Sequence, residues 1–236
     1  MTKAVAINFS PKMDKGNTAL ILNPFLDGIR EAGAEVELFS GRKLQINPCR
    51  GGLNCYRKTP GVCWQKDDMQ MLYPKLGEAD IQVFATPVYI CGMPGPMKNL
   101  IDRTVALWEP FIVLQDGHCW QEMRQGVKFS KVVLVSSCAF WEMDNFALLV
   151  SYMSAISNFA GALLRPHADA LKPMMDKGEP LDDIFEAARN AGRQLVRDGS
   201  MSAETLATVS REFMALDKYI EFYNQGFRKA LDKLNK

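Results

Sequence analysis

The sequence predicts an α/β fold in which a parallel sheet is covered on both faces by helices. Short apolar runs of strand length alternate five times with stretches whose apolar residues recur at helical spacing, as expected for parallel strands buried between helical layers. The 236 residues, 47% hydrophobic and 23% charged with Gly 17 and Pro 12, are ordinary globular usage able to bury a sizeable core. The length suits one large domain, or one domain with an extension.

The elements follow in order. Residues 3–9 (KAVAINF) form the first strand, and a polar loop from Ser10 to Thr18 leads into a helix. Asn17 is its expected N-cap, Leu20, Ile21, Phe25, Leu26 and Ile29 its apolar stripe, and Pro24 a kink inside it. Residues 35–39 (EVELF) alternate as a second strand, residues 43–63 form a loop rich in Gly, Pro and Cys, and Asp67 and Asp68 cap a helix over residues 69–76. The third strand is residues 80–86 (DIQVFAT), followed by a turn rich in Pro and Gly and a helix carrying Met97, Leu100, Ile101, Thr104 and Val105. Residues 111–122 place Asp116-Gly117 between apolar runs, a strong hairpin signal and an excursion beyond the basic fold. Residues 131–136 (KVVLVS) are the fourth strand, residues 162–166 the fifth, and residues 181–196 the fifth helix.

Past Gly199 the positions Leu206, Val209, Phe213, Leu216, Ile220, Tyr223 and Phe227 are spaced alternately three and four apart, a heptad-like stripe. The expected organisation is an α/β domain over residues 1–199, with the hairpin at 111–122, and a helical extension over 200–236. Residues 145–164 carry no charge and approach the length of a membrane span, but interrupting Asn and Ser residues and Gly161 argue for a buried helix running into a buried strand. Ser151, Ser154 and Ser157 recur every three positions, so this helix packs closely either within the chain or on a second subunit.

Lys+Arg 28 against Asp+Glu 27 leaves a net charge of +1, giving no field to recruit nucleic acid or an anionic membrane. Six cysteines are too few for a disulfide scaffold, and the first 30 residues lack a signal-peptide pattern, so reduced cysteines in the cytoplasm are expected. No His/Glu pair has metal-ligand spacing around His118 or His167, and there is no Gly-x-Ser-x-Gly elbow, so neither a zinc site nor an acyl-transfer hydrolase is expected. His118, Cys119 and Trp120 either line a substrate pocket or decorate the hairpin.

In an open parallel sheet, ligands bind beyond the carboxyl ends of the strands where strand order reverses. Three loops leave such ends: residues 10–18, 87–94 and 136–141. The first offers Ser10, Asn17 and Thr18 as donors, Lys12 as a cation and the N–H groups of a helix N-terminus, all suited to a phosphate, although a merely capped helix start would look similar. It is neither a Walker loop nor a Rossmann glycine fingerprint. In the second loop Pro87 and Pro94 stiffen the backbone, Gly92 permits close approach and Tyr89 offers a flat ring. Together the two loops fit a mononucleotide such as FMN. Phe140 and Trp141, following a strand end, either flank the ring or join the core.

The combination NFSPKMDKGNT after the first strand, CWQKDDM ending the cysteine-rich loop, and TPVYICGMPGPMKNLIDR resembles the NADPH-dependent FMN reductase and iron-sulfur flavoprotein family of flavodoxin-like proteins. The resemblance is specific over residues 3–103 and looser to about Val196. It implies a flavodoxin-like three-layer sandwich with a five-stranded parallel sheet of order 2-1-3-4-5. It also implies that Ser10, Lys12, Asn17 and Thr18 hold the FMN phosphate, Pro87, Val88, Tyr89 and Gly92 the ribityl chain and ring, and Ser137 and Cys138 the third loop beside the ring. In the cysteine loop Cys49, Cys55 and Cys63 match three of the four cluster positions of iron-sulfur flavoproteins, and Gly52 stands at the second. The loop then holds a cluster with a substitute ligand, simple packing cysteines, or a labile disulfide; no metal site is expected.

The expected activity is an FMN-dependent NAD(P)H oxidoreductase passing electrons through bound flavin to a quinone-like, azo, nitro or metal acceptor, with NADPH or NADH as reductant and no side chain as catalytic acid or base. The alternatives are an electron-carrying or redox-sensing flavoprotein acting on protein partners, and an interaction module using the tail. The expected partners are a small-molecule acceptor and further copies of the chain in a dimer or tetramer, without nucleic acid or membrane.

Overall fold

The computed structural model describes residues 1–234. In chain order the elements are β1 (Lys3–Asn8), α1 (Asn17–Glu31), β2 (Glu35–Ser40), α2 (Asn54–Arg57), α3 (Met69–Glu78), β3 (Ile81–Pro87) and α4 (Gly95–Arg103). The hairpin β4 (Trp108–Gln115) and β5 (His118–Met123) follows, then β6 (Lys131–Ser137), α5 (Ala147–Ile156), β7 (Asn158–Arg165), α6 (Leu171–Met175), α7 (Asp182–Arg197), α8 (Ala203–Ser210) and α9 (Leu216–Leu234). The five-stranded sheet is parallel with order β2-β1-β3-β6-β7, which is the flavodoxin-like order once the two hairpin strands are set aside.

Period-two alternation along the strands makes the two cores. Ala4 and Ala6 of β1, Val83 and Ala85 of β3 and Val133 and Val135 of β6 face α1, α6 and α7. Val5 and Ile7, Phe84, and Val132 and Leu134 face α3, α4 and α5. On the first face α1 and α7 meet backbone to backbone: a Cβ on Gly28 would lie 1.8 Å from the Arg189 carbonyl oxygen, and one on Gly192 would lie 2.2 Å from that of Phe25. These glycines, costly by helix propensity, are what let the two helices touch.

Several local expectations are corrected. Gly16, not Asn17, is the N-cap of α1, and the Asn17 amide instead donates to Asp169 Oδ1 at 2.7 Å. The cysteine loop contains the short helix α2. β7 starts at Asn158, four residues early, and accommodates Gly161 at φ +133 through a shift in its register with β6. The uncharged helix α5 is buried on one side only, at Leu149 and Met153, while Leu148, Ser151 and Ser154 are exposed. The heptad-like tail is not one helix: α8 rests on α7 and β7 with Val209 in the core, the chain breaks its helix over 211–215, and α9 departs with Tyr219 buried but Ile220, Phe227 and Leu231 exposed. The Asp116-Gly117 hairpin forms with both residues at positive φ, and its strands extend beyond 111–122 at both ends. No helix among the described residues is long and apolar enough to cross a membrane.

Candidate functional site

The carboxyl ends of β1 and β3 sit side by side where the strand order reverses, and the loops after β1, β3 and β6 meet there. Ser10, buried, donates its N–H to Asn8 Oδ1 at 2.9 Å, and Asn8 Nδ2 donates to the Met13 carbonyl at 3.2 Å, so Asn8 organises the first loop from both sides. Met13 takes a left-handed φ of 52° inside that loop. A Cβ on Gly16 would lie 2.6 Å from Ser10 Oγ and 3.2 Å from the Lys12 Cβ, so the loop closes on Gly16 with no room for a side chain. No side chain caps α1; the Ala19 N–H is bonded to the Gly16 carbonyl at 3.0 Å, and the Asn17 and Thr18 N–H groups stay available to an anion. That cradle fits a phosphate. Lys12 is exposed at its rim, whereas Asn17 is already engaged by Asp169.

Two hydrogen bonds join the three loops. Thr18 Oγ1 and Ser137 Oγ, both buried, lie 2.7 Å apart and tie the first loop to the third. The Val88 N–H donates to the Ser137 carbonyl at 2.9 Å and ties the second to the third. Ser137 is the hub of both. Beyond Val88, Tyr89 and Gly92 exchange N–H···O bonds of 2.9 and 3.0 Å around a two-residue turn at Ile90 and Cys91, whose φ values are 45° and 59°. That turn type ordinarily takes Asn-Gly or Gly-Gly, because both central residues need positive φ. A β-branched Ile there is strained, and its side chain is fully exposed at the tip. Tyr89 is half exposed beside it, and Pro87, at the end of β3, pairs with Ser137. Cys138 is buried; its thiol accepts from the Phe140 N–H at 3.4 Å, and burial pushes its pKa up, so it stays a neutral thiol. Phe140 is exposed at this edge, while Trp141 turns inward and stacks on His167. All ten expected site residues therefore lie on the three converging loops.

The cysteine loop is held by a pair that sequence reasoning missed. Arg103 at the end of α4 binds Asp67 through Nη1 at 2.6 Å and Nη2 at 3.1 Å, with both side chains almost fully buried, and Nη1 also donates to the Asn47 carbonyl. Burial opposes ionisation of Asp67, but hydrogen bonds from Arg103, Asn47 and the Met69 N–H outweigh it and lower its pKa. The signal available in sequence was the DDM motif, read only as a helix cap; Asp67 does accept the Met69 N–H, whereas Asp68, at the N-cap position, makes no cap bond and accepts the Gln45 N–H instead. Cys49, Cys55 and Cys63 line a cavity of about 20 Å³ with Gly52 and Trp64. No fourth Cys, His, Asp or Glu stands among the residues that line it, and Gly52 offers no ligand. No group of three or more His, Cys, Asp or Glu side chains among the described residues is placed to hold a metal ion. The loop thus offers three thiols and lacks the fourth protein ligand of a four-cysteine cluster.

The fold defines a class: flavodoxin-like α/β proteins, whose loops converge at the strand switch point. Within that class, residues 2–142 match the family model described as NADPH-dependent FMN reductase, and the chain belongs to that family. It is 37% identical over 102 residues, 43% of its length, to an iron-sulfur flavoprotein of Archaeoglobus fulgidus, of which that stretch covers 48%. The chain thus spans about half the length of the curated relatives it matches. Among solved structures it resembles an NAD(P)H:quinone oxidoreductase from Methanothermobacter marburgensis, with a TM-score of 0.57 and 17% identity over 83% of this chain and 98% of that one. It also resembles an FMN-dependent NADH-azoreductase from Bacillus anthracis solved with FMN, with a TM-score of 0.56 and 13% identity over 84% of this chain and all of that one. At such identities these two likenesses speak to the fold.

Proposed function

We propose that the chain is an FMN-dependent NAD(P)H oxidoreductase that passes electrons to a small quinone-like, azo or nitro compound, or to a metal acceptor. The observation that carries this reading is the junction at Ser137, where one residue ties the phosphate-type loop to the stiff Tyr89 loop across the switch point. Ser10, Thr18 and the α1 N-terminus would hold the FMN phosphate, with Lys12 at the rim; Asn17 contributes through its hold on Asp169. Pro87, Val88, Tyr89 and Gly92 would line the ribityl chain and one side of the ring, and Ser137 and Cys138 the other loop. FMN, when bound, would supply the redox chemistry between a nicotinamide and the acceptor. The protein's own part is to bind and orient. The backbone of the second loop stays rigid while Tyr89 and Phe140 keep the ring's surroundings apolar, and the buried Cys138 thiol adds no charge.

A reading as an electron carrier for protein partners stays as the alternative: the carboxyl edge exposes the apolar Tyr89, Ile90 and Phe140 beside the charged Lys12, Lys15 and Glu142. The partners proposed beyond the acceptor are further copies of this chain, in a dimer or tetramer, with the exposed uncharged side of α5 and the outward face of α9 as contact surfaces. Six free thiols suit a reducing, cytoplasmic setting. The test is anaerobic reduction of the FMN-loaded protein by NADPH and by NADH, followed by mixing with a quinone, an azo dye, a nitroaromatic and ferric citrate. Reduction by a nicotinamide and rapid reoxidation by one of these acceptors is expected. Flavin that no nicotinamide reduces, but a reductase protein does, would establish the carrier instead.

A further inference from the structure

The C-terminal extension reaches the flavin loops through a buried knot that the proposed activity does not yet use. Arg165 closes β7 with no exposure, and among the described residues its guanidinium bonds only backbone carbonyls and His167. Its Nε donates to the Pro166 carbonyl at 2.9 Å, Nη1 to that of Val209 at 2.7 Å, and Nη2 to that of Arg211 at 2.8 Å. Val209 and Arg211 lie at the C-terminal end of α8, where a helix leaves carbonyls unpaired and carries its negative pole. The end of α8 thus neutralises the buried cation. Arg165 Nη2 also lies 2.8 Å from His167 Nε2, and since a guanidinium only donates, the imidazole accepts there and carries its proton on Nδ1. Burial and the neighbouring Arg165 charge push the His167 pKa down to about 3, so the ring stays neutral.

Trp141 stacks on that neutral ring with centroids 4.3 Å apart, and Tyr219 of α9 packs beside both. The Tyr219 hydroxyl donates to the Ala139 carbonyl, the His167 N–H to the Phe140 carbonyl at 2.8 Å, and the Ala168 N–H to the Cys138 carbonyl at 2.9 Å. Every residue from Cys138 to Trp141 is therefore gripped by a group from beyond β7, and the exposed Phe140 side chain is left pointing out of an otherwise fixed loop. One residue after Ala168, Asp169 holds Asn17 where the first loop enters α1.

We propose that the C-terminal extension is a positioning element of the flavin site, acting through Tyr219 and the Arg165–His167 pair to set the Cys138–Trp141 loop and so the placement of Phe140 beside the ring. This rests on the flavin reading of the three loops. Tyr219, Arg165 and His167 are positioning residues that touch neither cofactor nor substrate; Phe140 is the residue they place.

The test compares Tyr219→Phe, Trp141→Ala, Trp141→Phe and Phe140→Ala in the full chain, with FMN affinity, the visible circular dichroism of bound flavin and its midpoint potential as readouts. Tyr219→Phe keeps the ring and removes one hydrogen bond, so FMN affinity should fall two- to tenfold. The visible dichroism and the potential should shift as well, with far-ultraviolet dichroism unchanged. Trp141→Ala should shift them in the same direction and Trp141→Phe should restore most of the effect. Should a knot variant not fold, Phe140→Ala, which removes an exposed side chain, still reports: it should move the flavin dichroism and potential. Wild-type dichroism, potential and affinity in Tyr219→Phe and Phe140→Ala, in a chain whose wild type binds FMN, would overturn the inference and leave the flavin site standing. A wild-type chain that binds no FMN would overturn the site reading, and this inference with it.

Discussion

Replacing Arg103 with methionine keeps the length and apolar stem of the side chain while stranding the Asp67 carboxylate in a site where its side chain is 3% exposed. The carboxylate loses two hydrogen bonds from the guanidinium but keeps those from the Asn47 and Met69 N–H groups. Breaking one partner of a buried pair costs about 3–5 kcal/mol. The retained donors put the expected loss near the lower end, about 3 kcal/mol. With a urea slope of about 3 kcal/mol per molar for a chain of this size, the unfolding midpoint should fall by roughly 1 M. Removing both partners in Asp67→Leu/Arg103→Met should recover most of that loss, because no buried charge is left. Limited proteolysis should cut residues 44–66 faster in the single variant, since Arg103 also holds the Asn47 carbonyl. A loss below about 0.5 kcal/mol, or a double variant weaker than the single, would refute the argument that this pair pins the cysteine loop.

Three further outcomes follow from the same structure. The folded pKa of Asp67 lies below its unfolded value of about 4, so the pair's stabilisation is fully present above that value and is lost as pH falls through the folded pKa. Urea midpoints of wild type and Arg103→Met should accordingly converge on acidification below about pH 4, and a constant gap would contradict this. For the hydroxyl pair, Thr18→Val and Ser137→Ala should each cost about 1–2 kcal/mol by leaving a buried hydroxyl unpaired, and the double variant about 1 kcal/mol less than their sum; strict additivity in a double-mutant cycle would show that the hydroxyls do not share a bond. Replacing Ile90-Cys91 by Asn-Gly relieves two left-handed non-glycine residues without removing packing, so thermal unfolding should rise by about 2–4 °C for each kcal/mol of strain released, and an unchanged melting temperature would mean the turn stores none.

The sheet was legible because short apolar runs of strand length alternate with stretches of helical spacing, and the switch-point rule then located the three loops. Asp116-Gly117 announced its hairpin for the same local reason. What was hidden depends on contacts between distant residues. Gly28 and Gly192 read as weak helix positions until α1 and α7 are seen to touch. Arg103 and Asp67 are 36 positions apart, and nothing local distinguishes them from surface charges. Arg165 and His167 read as the polar end of an apolar run, because the carbonyls that bury Arg165 come from α8, more than forty residues on. The heptad-like stripe after Gly199 was real as a pattern, but its first half is consumed by the core and the rest is turned outward by the break at 211–215.

In the proposed FMN site the tight loop closed at Gly16 would be the phosphate cradle. Titrating the full chain with FMN, followed by flavin fluorescence quenching, tests it most directly when repeated on Gly16→Ala. The new Cβ would stand 2.6 Å from Ser10 Oγ, so the hydroxyl must leave its place while the sheet behind it stays intact. One FMN per chain for wild type, with affinity falling at least tenfold in a Gly16→Ala protein of unchanged far-ultraviolet dichroism, is the expected result. Absence of FMN binding by wild type, or equal affinity in Gly16→Ala, would contradict it.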